Sequence, residues 1–344
     1  MQFTRRQGLL TGAGLIGSSA LPRLARAQEW PSRPITVAMA APAGGATDLG
    51  VRSFADPMRE ALGARALAFQ DMSGAGGVQA LDYIYNQPTD GHFWLGANDG
   101  IEAYPSLGRI DFDWRAFDFW MSGGTSCGLF VRGDSPYETF DQWVEAVRER
   151  PGEISVASTP SGSLWSSAAV YLQQSMGLDF KLANYGGGGP TVRALLAGET
   201  DCASVGVTPT VNFIQSGDLR PLAAWTPEPW EVAGTVIPSI LDYVDDPILE
   251  ATLPWTNIHG IALKKGVDEA ILTQIDEAFA EAMARPEMAE VYASKAFFPF
   301  QAPRQEANEM MGRRTALQAY IIEVILGTAV KTRDELGIAK IEDG

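Results

Sequence analysis

The stretch Ile35-Thr36-Val37-Ala38-Met39-Ala40-Ala41-Pro42-Ala43-Gly44-Gly45-Ala46-Thr47-Asp48 decides the fold class. Ile35–Ala40 is a short apolar run of β-leaning residues. Pro42-Ala43-Gly44-Gly45 breaks it, and a helical stretch follows from Asp48 to about Leu62. Strand, glycine turn, helix is the unit of a sheet covered by helices. The unit recurs. Arg65–Phe69 reads as a strand, Ser73-Gly74-Ala75-Gly76-Gly77 opens a helix through Tyr85, and Asp90-Gly91 turns into a strand at Phe93–Gly96. Leu129–Arg132 is a strand, and Asp141–Arg150 a helix closed by Pro151-Gly152. Ile154–Ala157 runs into Ser158-Thr159-Pro160-Ser161-Gly162-Ser163 and a helix from Leu164 to Met176. Leu182–Tyr185 leads into Gly186–Gly189, with Pro190 at a helix N1 position and Gly198 at that helix's end. Cys202–Val207 and Leu219–Trp225 are further apolar strands.

The last third reads as mostly helical. Ile271, Ile275, Phe279 and Met283 make one apolar helix face, Pro286 interrupts, and a final helix from about Gln305 to Leu326 buries Met310, Leu317, Ile321 and Val324. The whole is an α/β chain with a parallel-rich sheet. Its simplest partition is two lobes with crossovers near residues 126 and 225: residues 28–125 plus 226–344 form the first lobe and 126–225 the second.

Four small-residue loops each open a helix: Ala43–Thr47, Ser73–Gly77, Ser158–Ser163 and Gly186–Gly189. The first N–H groups of a helix lack intrahelical partners, and the helix dipole is positive there. Glycine lets an anion approach that backbone, and Ser or Thr hydroxyls add donors. In open α/β sheets such loops lie beyond the carboxyl ends of the strands, where ligands bind. The four loops therefore point to a cleft that grips a carboxylate or phosphate with little help from Lys or Arg. No G-x-G-x-x-G fingerprint and no P-loop is present. Each feature also has a purely structural reading. Asp48 suits a helix cap, a ligand contact or a catalytic base, Trp165 a ligand stack or packing under its helix, and Gly186–Gly189 a site or a hinge. Tyr185 points its phenol into the cleft or anchors a strand end. The candidate ligand contacts are Ala43, Gly44, Gly45, Thr47, Asp48, Ser73, Ala75, Asn98, Ser158, Ser161, Ser163, Trp165, Tyr185 and Thr208.

Met1–Ala27 reads as an export signal, with basic Arg5 and Arg6, an apolar run from Gly8 to Leu21, and Ala25-Arg26-Ala27 as an A-x-A cleavage site. Thr4-Arg5-Arg6-Gln7-Gly8-Leu9-Leu10 resembles a twin-arginine signal, and an ordinary secretory signal fits as well. The 344 residues carry 42 acidic and 26 basic side chains, a formal charge of −16. Removing the signal leaves 22 basic residues and a net charge of −20. Such a chain is a poor nucleic-acid binder, and six Lys in all make no polybasic membrane patch. With 46% hydrophobic residues it folds. The two His and two Cys form no metal-spaced cluster and no Ser-His-Asp triad is apparent, so neither a metal nor another cofactor is expected. Cys127 and Cys202 are equally compatible with one disulfide and with two buried thiols.

Several segments resemble the Bug-type solute-binding proteins, the extracytoplasmic receptors of tripartite tricarboxylate transporters. Trp30-Pro31-Ser32-Arg33-Pro34-Ile35 is similar to their Y-P-x-[RK]-P-I opening, and Pro42–Asp48 to their A/P-G-G-x-x-D loop. Asp71–Gly77 matches N-x-x-G-A-G-G, and Thr89-Asp90-Gly91-His92 matches P-D-G-Y. Arg150-Pro151-Gly152 with Ser155–Ser163 resembles k-P-G and S-x-G-x-G-[ST], and Tyr185 to Asp201 resembles Y-x-G-x-x-P…L-x-G-x-x-D. The likeness is collinear over nearly the whole chain after the signal. It implies a type II-like periplasmic binding protein: two α/β lobes closing on a carboxylate, with Ala43–Asp48 and Ser158–Ser163 as the main grip. The family's His after the third loop falls near Ser166 here, its Lys after Tyr at Gly186, and its Asn before the glycines at Asp71. Trp165 leaves room for an aromatic or longer-chain carboxylate.

The resemblance implies a monomeric, periplasmic, non-enzymatic receptor that captures an aliphatic, aromatic or amino-acid carboxylate. It would deliver that ligand to the small and large membrane subunits of a transporter. Presentation to a membrane sensor kinase, or turnover of a carboxylated substrate by an exported enzyme, are the competing readings.

Overall fold

The computed structural model describes residues 30–97, 99–298 and 300–341; the export-signal segment and Asn98 lie outside them. Five strands form the first sheet: β1 (Ile35–Met39), β2 (Leu67–Asp71), β3 (Phe93–Ala97), β4 (Phe117–Gly123) and, from far along the chain, β12 (His259–Lys264). Five more form the second: β5 (Cys127–Arg132), β6 (Ser155–Ser158), β7 (Lys181–Asn184), β8 (Cys202–Gly206) and β9 (Leu219–Ala224). A small hairpin, β10 (Trp230–Val232) with β11 (Thr235–Ile237), lies outside both sheets.

The strand orders are β2-β1-β3-β12-β4 and β7-β6-β8-β5-β9, one plan used twice. Three strands run parallel in each sheet. The fourth position is antiparallel to both neighbours and is filled by a strand arriving from the other half of the molecule: β12 in the first sheet, β5 in the second. The sheets are thus mixed, not parallel-rich as the repeats suggest, and the last third contributes a central strand as well as helices.

Strand parity builds the core. Ile35, Val37 and Met39 face one hydrophobic cluster with helices Ala46–Ala61 and Glu269–Met283, while Ala38 and Ala40 face another with Val78–Tyr85 and Arg304–Tyr320. The second sheet divides the same way, with Leu129 and Val131 on one side and Phe130 on the other. Each sheet is therefore covered on both faces.

Several local expectations shift. Helix Ala46–Ala61 starts two residues before Asp48, and Pro190 is the third residue of helix Gly188–Leu196, not the first. Ser73–Gly77 does not open a regular helix. Ala75, Gly76 and Gly77 have φ of +54°, +74° and +99°, and the helix begins at Val78. In the last helix Met311, not Met310, is fully buried, and within a wide π turn at Ile321–Ile325 Val324 is 50% exposed. Leu272 replaces Ile271 on the buried face of Glu269–Met283. Residues 226–258 follow the crossover near 225, yet Val232, Ile237, Ile240, Leu249 and Trp255 pack with the second sheet's clusters.

Cys127 and Cys202 are free, buried thiols. On the paired strands β5 and β8, Cys127 stands opposite Gly206 and Cys202 opposite Val131, at opposite ends of the ladder. No disulfide can span that separation. Burial pushes the Cys127 thiol up to about 12, so both sulfurs behave as small apolar groups.

Candidate ligand-binding cleft

A cleft of about 360 Å³ separates the two sheets. Its walls come from the segments that follow β1, β2, β3, β6, β7 and β8, all at strand carboxyl ends, and from Asn257 just before β12. All four small-residue loops reach it, through Gly45 to Thr47, Ser73 and Gly76, Thr159 to Ser163, and Gly186 to Gly188.

The first loop is braced from behind. Gly44 adopts φ +78°, a left-handed turn that favours glycine. Its N–H donates to the Asp48 carboxylate at 2.9 Å, and Arg52 Nε donates to the other Asp48 oxygen at 2.7 Å. Asp48 is buried and fully engaged, so it holds the loop and does not line the cleft. Gly45 occupies the N-cap position and caps with no side chain. The first-turn N–H groups at Ala46 and Thr47 are left for a ligand, and both residues line the cleft.

The third loop is already occupied. Ser163 caps helix Leu164–Ser175, accepting from Ser166 N–H at 3.4 Å and sharing a 2.6 Å hydrogen bond with Thr159 Oγ1. The N–H of Leu164 donates across the cleft to Asp99 Oδ2 at 3.2 Å. Arg109 Nη2 donates to the Ser161 carbonyl at 3.4 Å, a second tie between the same two segments. On the second-lobe side, the Trp165 indole lies over Gly206, where an added Cβ would stand 3.1 Å from it. Both line the cleft.

At the back, three chain segments run together, with Cys127 N–H donating to Trp255, Trp255 to Trp225, and Trp225 to Cys127. Asn257 knits this seam to the first loop. Its Oδ1 accepts Thr125 N–H at 2.7 Å, its Nδ2 donates to Thr47 Oγ1 at 3.1 Å, and Thr125 Oγ1 accepts Thr208 N–H at 3.0 Å. All four residues are buried. Beside the seam, Arg314 Nε donates to buried Glu102 at 2.6 Å and its Nη2 to the Thr256 carbonyl at 2.5 Å. Burial pushes the Glu102 carboxyl up to about 7 against the pull of that guanidinium.

Of the sequence-derived candidates, Gly45, Thr47, Ser73, Ser161, Ser163 and Trp165 line the cleft. Ala43, Gly44 and Ala75 are exposed beside it, and Ser158 is buried behind it with its hydroxyl on the Ser204 carbonyl at 3.0 Å. Thr208 is buried near the seam. Tyr185 does not point into the cleft; its hydroxyl donates to Glu199 at 3.2 Å, anchoring the strand end. Asp99, Tyr104 and Asn257 are wall residues that the glycine-loop reasoning missed. Asp99 shares the one available signal, a polar residue just past a strand's carboxyl end.

The chain matches the tripartite tricarboxylate transporter family receptor over residues 51–326. It belongs to this receptor family. The receptor is 25% identical over 307 residues to BugT of Bordetella pertussis, covering 87% of this chain and 90% of that one. Its fold is similar to the solved structure of the periplasmic binding protein BugD, with a TM-score of 0.75, 20% identity, and 87% of this chain and 99% of that one covered. It is also similar to MatC of Rhodopseudomonas palustris with bound malate, with a TM-score of 0.73, 19% identity, and 86% and 100% covered. The two-lobed architecture of this Bug-type receptor is thus that of known periplasmic binding proteins. Among its described residues, no helix is long and apolar enough to cross a membrane, and no group of three or more acidic, His or Cys residues could hold a metal.

Proposed function

We propose that this receptor is exported to the periplasm, captures a small organic carboxylate in the inter-sheet cleft, and delivers it to transporter membrane subunits. The observation that carries the reading is the uncapped helix start at Gly45–Thr47, which presents backbone N–H groups and a hydroxyl to the cleft. The braced Gly44 turn fixes those donors before a ligand arrives, which lowers the ordering cost of binding. Ser161 supplies a further hydroxyl, and the Trp165 face supplies apolar area for the ligand body. The malate held by MatC fits the same ligand class. The two lobes, one built on each sheet and with residues 226–258 packed on the second, would close about the three-stranded seam, a shift of population toward the state that contacts ligand from both sides.

The test is thermal unfolding of the purified mature receptor against a panel of aliphatic, aromatic and amino-acid carboxylates. A ligand that binds only the native state raises the midpoint. No shift with any member at millimolar concentration sinks the reading.

A further inference from the structure

Asp99 is the one charged side chain among the described residues that line the cleft. It sits two residues past β3, where its Oδ2 accepts the N–H of Leu164 at 3.2 Å. A protein carboxylate thus already holds the first donor of the helix that closes the second wall. The nearest cation, Arg109, does not line the cleft; its guanidinium is spent behind the wall on the Ser161 carbonyl and the Tyr104 ring. A dicarboxylate seated on the Gly45–Thr47 donors would set its second negative charge in the same small space as Asp99, and like charges at short range in a partly desolvated site repel strongly. A ligand with one carboxylate and one protonated amine meets both conditions: its anionic end takes the uncapped helix start, and its cationic end takes Asp99.

Resting on the carboxylate reading above, we propose that the receptor selects zwitterionic amino-carboxylates over mono- and dicarboxylates, and that Asp99 is the selecting residue. Asp99 also helps to hold the lobes together, so its charge and its latch must be separated. Asp99→Asn does this, because the amide oxygen still accepts the Leu164 N–H while the charge is gone. Arg109→Gln weakens the other tie between the same segments and leaves Asp99 intact.

Calorimetry on matched sets reads the selection: L-leucine against 4-methylpentanoate, L-phenylalanine against 3-phenylpropanoate, and 4-aminobutanoate against butanoate and succinate. In the wild type at least one amine-bearing member should bind about tenfold or more tighter than its amine-free partners. Asp99→Asn should bring that ratio to within about threefold and improve succinate binding. Arg109→Gln should weaken both members of a set alike and keep the ratio. The inference falls if amine-free partners bind as well in the wild type, if the ratio survives in Asp99→Asn, or if Arg109→Gln collapses it equally. In each of those cases the carboxylate reading stands. If no member of any set binds, both fall.

Discussion

His259 lies beneath helix Ala46–Ala61 against Phe297, 1% exposed, with neither ring nitrogen hydrogen-bonded. Burial alone pushes its pKa down from 6.5 to about 3, so the folded state refuses a proton that the unfolded chain accepts below pH 6.5. Between pH 7 and 5 this drains about 2 kcal/mol of stability. Glu102 does the reverse. Raised from 4.5 to about 7, it keeps a proton in the fold that the unfolded chain gives up, so acidification over the same interval adds stability of about the same size. The wild type should therefore be nearly flat from pH 7 to 5. His259→Leu should gain stability on acidification and Glu102→Gln should lose it, as measured by urea unfolding at the two pH values. A shared slope in all three proteins would refute the assignment. At the cleft, Ser161→Ala removes one hydroxyl and should weaken binding a few-fold, the scale of about 1 kcal/mol for a neutral hydrogen bond. Gly45→Val sets bulk over the helix start, with its Cβ 3.1 Å from the Pro42 carbonyl, and should cost more than tenfold, about 1.4 kcal/mol. Unchanged affinity in both, by calorimetry, would move the anion grip elsewhere.

Strand β12 is held on both sides, and Gly260 lies directly against the backbone of β4. A Cβ there would stand 2.3 Å from the Trp120 carbonyl and 3.2 Å from Met121 Cα, all backbone, beside a register shift at His259/Gly260. Gly260→Ala should cost about 3 kcal/mol by denaturant unfolding, whereas Gly186→Ala, with open space around its Cβ, should leave stability unchanged. A small loss at Gly260 would mean that β12 slides freely. The β-loop-α units were legible because a glycine-rich turn marks each junction, as at Pro42–Gly45 and Gly186–Gly189. Strands β4 and β12 were not. The Gly123-Gly124 pair after β4 opens no helix but passes straight to the next sheet, a single Gly266 follows β12, and the short apolar run His259–Lys264 passes as part of a helical region. Half of the cleft was legible for the same reason as the loops. Its remaining wall was hidden because Asp99 and Asn257 act across elements, with partners 65 and 210 residues away. Nothing local announces such a contact.

At the scale of the molecule, the formal charge of −16 sets a repulsive field around the cleft for any anion. Raising ionic strength from 0.01 to 0.15 M should therefore speed association of a dicarboxylate by about threefold, while an amino-carboxylate of zero net charge should be indifferent. Stopped-flow tryptophan fluorescence can follow both, since Trp165 lines the cleft. A rate that falls with salt would mean that some local cation steers the ligand. The shared strand plan has a consequence for how the chain is built. All five strands of the second sheet lie within residues 127–224, so they leave the ribosome as one uninterrupted set. The first sheet must wait. Until residue 264 has been made, β3 presents a bare edge and β4 has no neighbour, because β12 belongs between them. Pairings over such long sequence separations form late. The sheet that begins the chain is the one finished last.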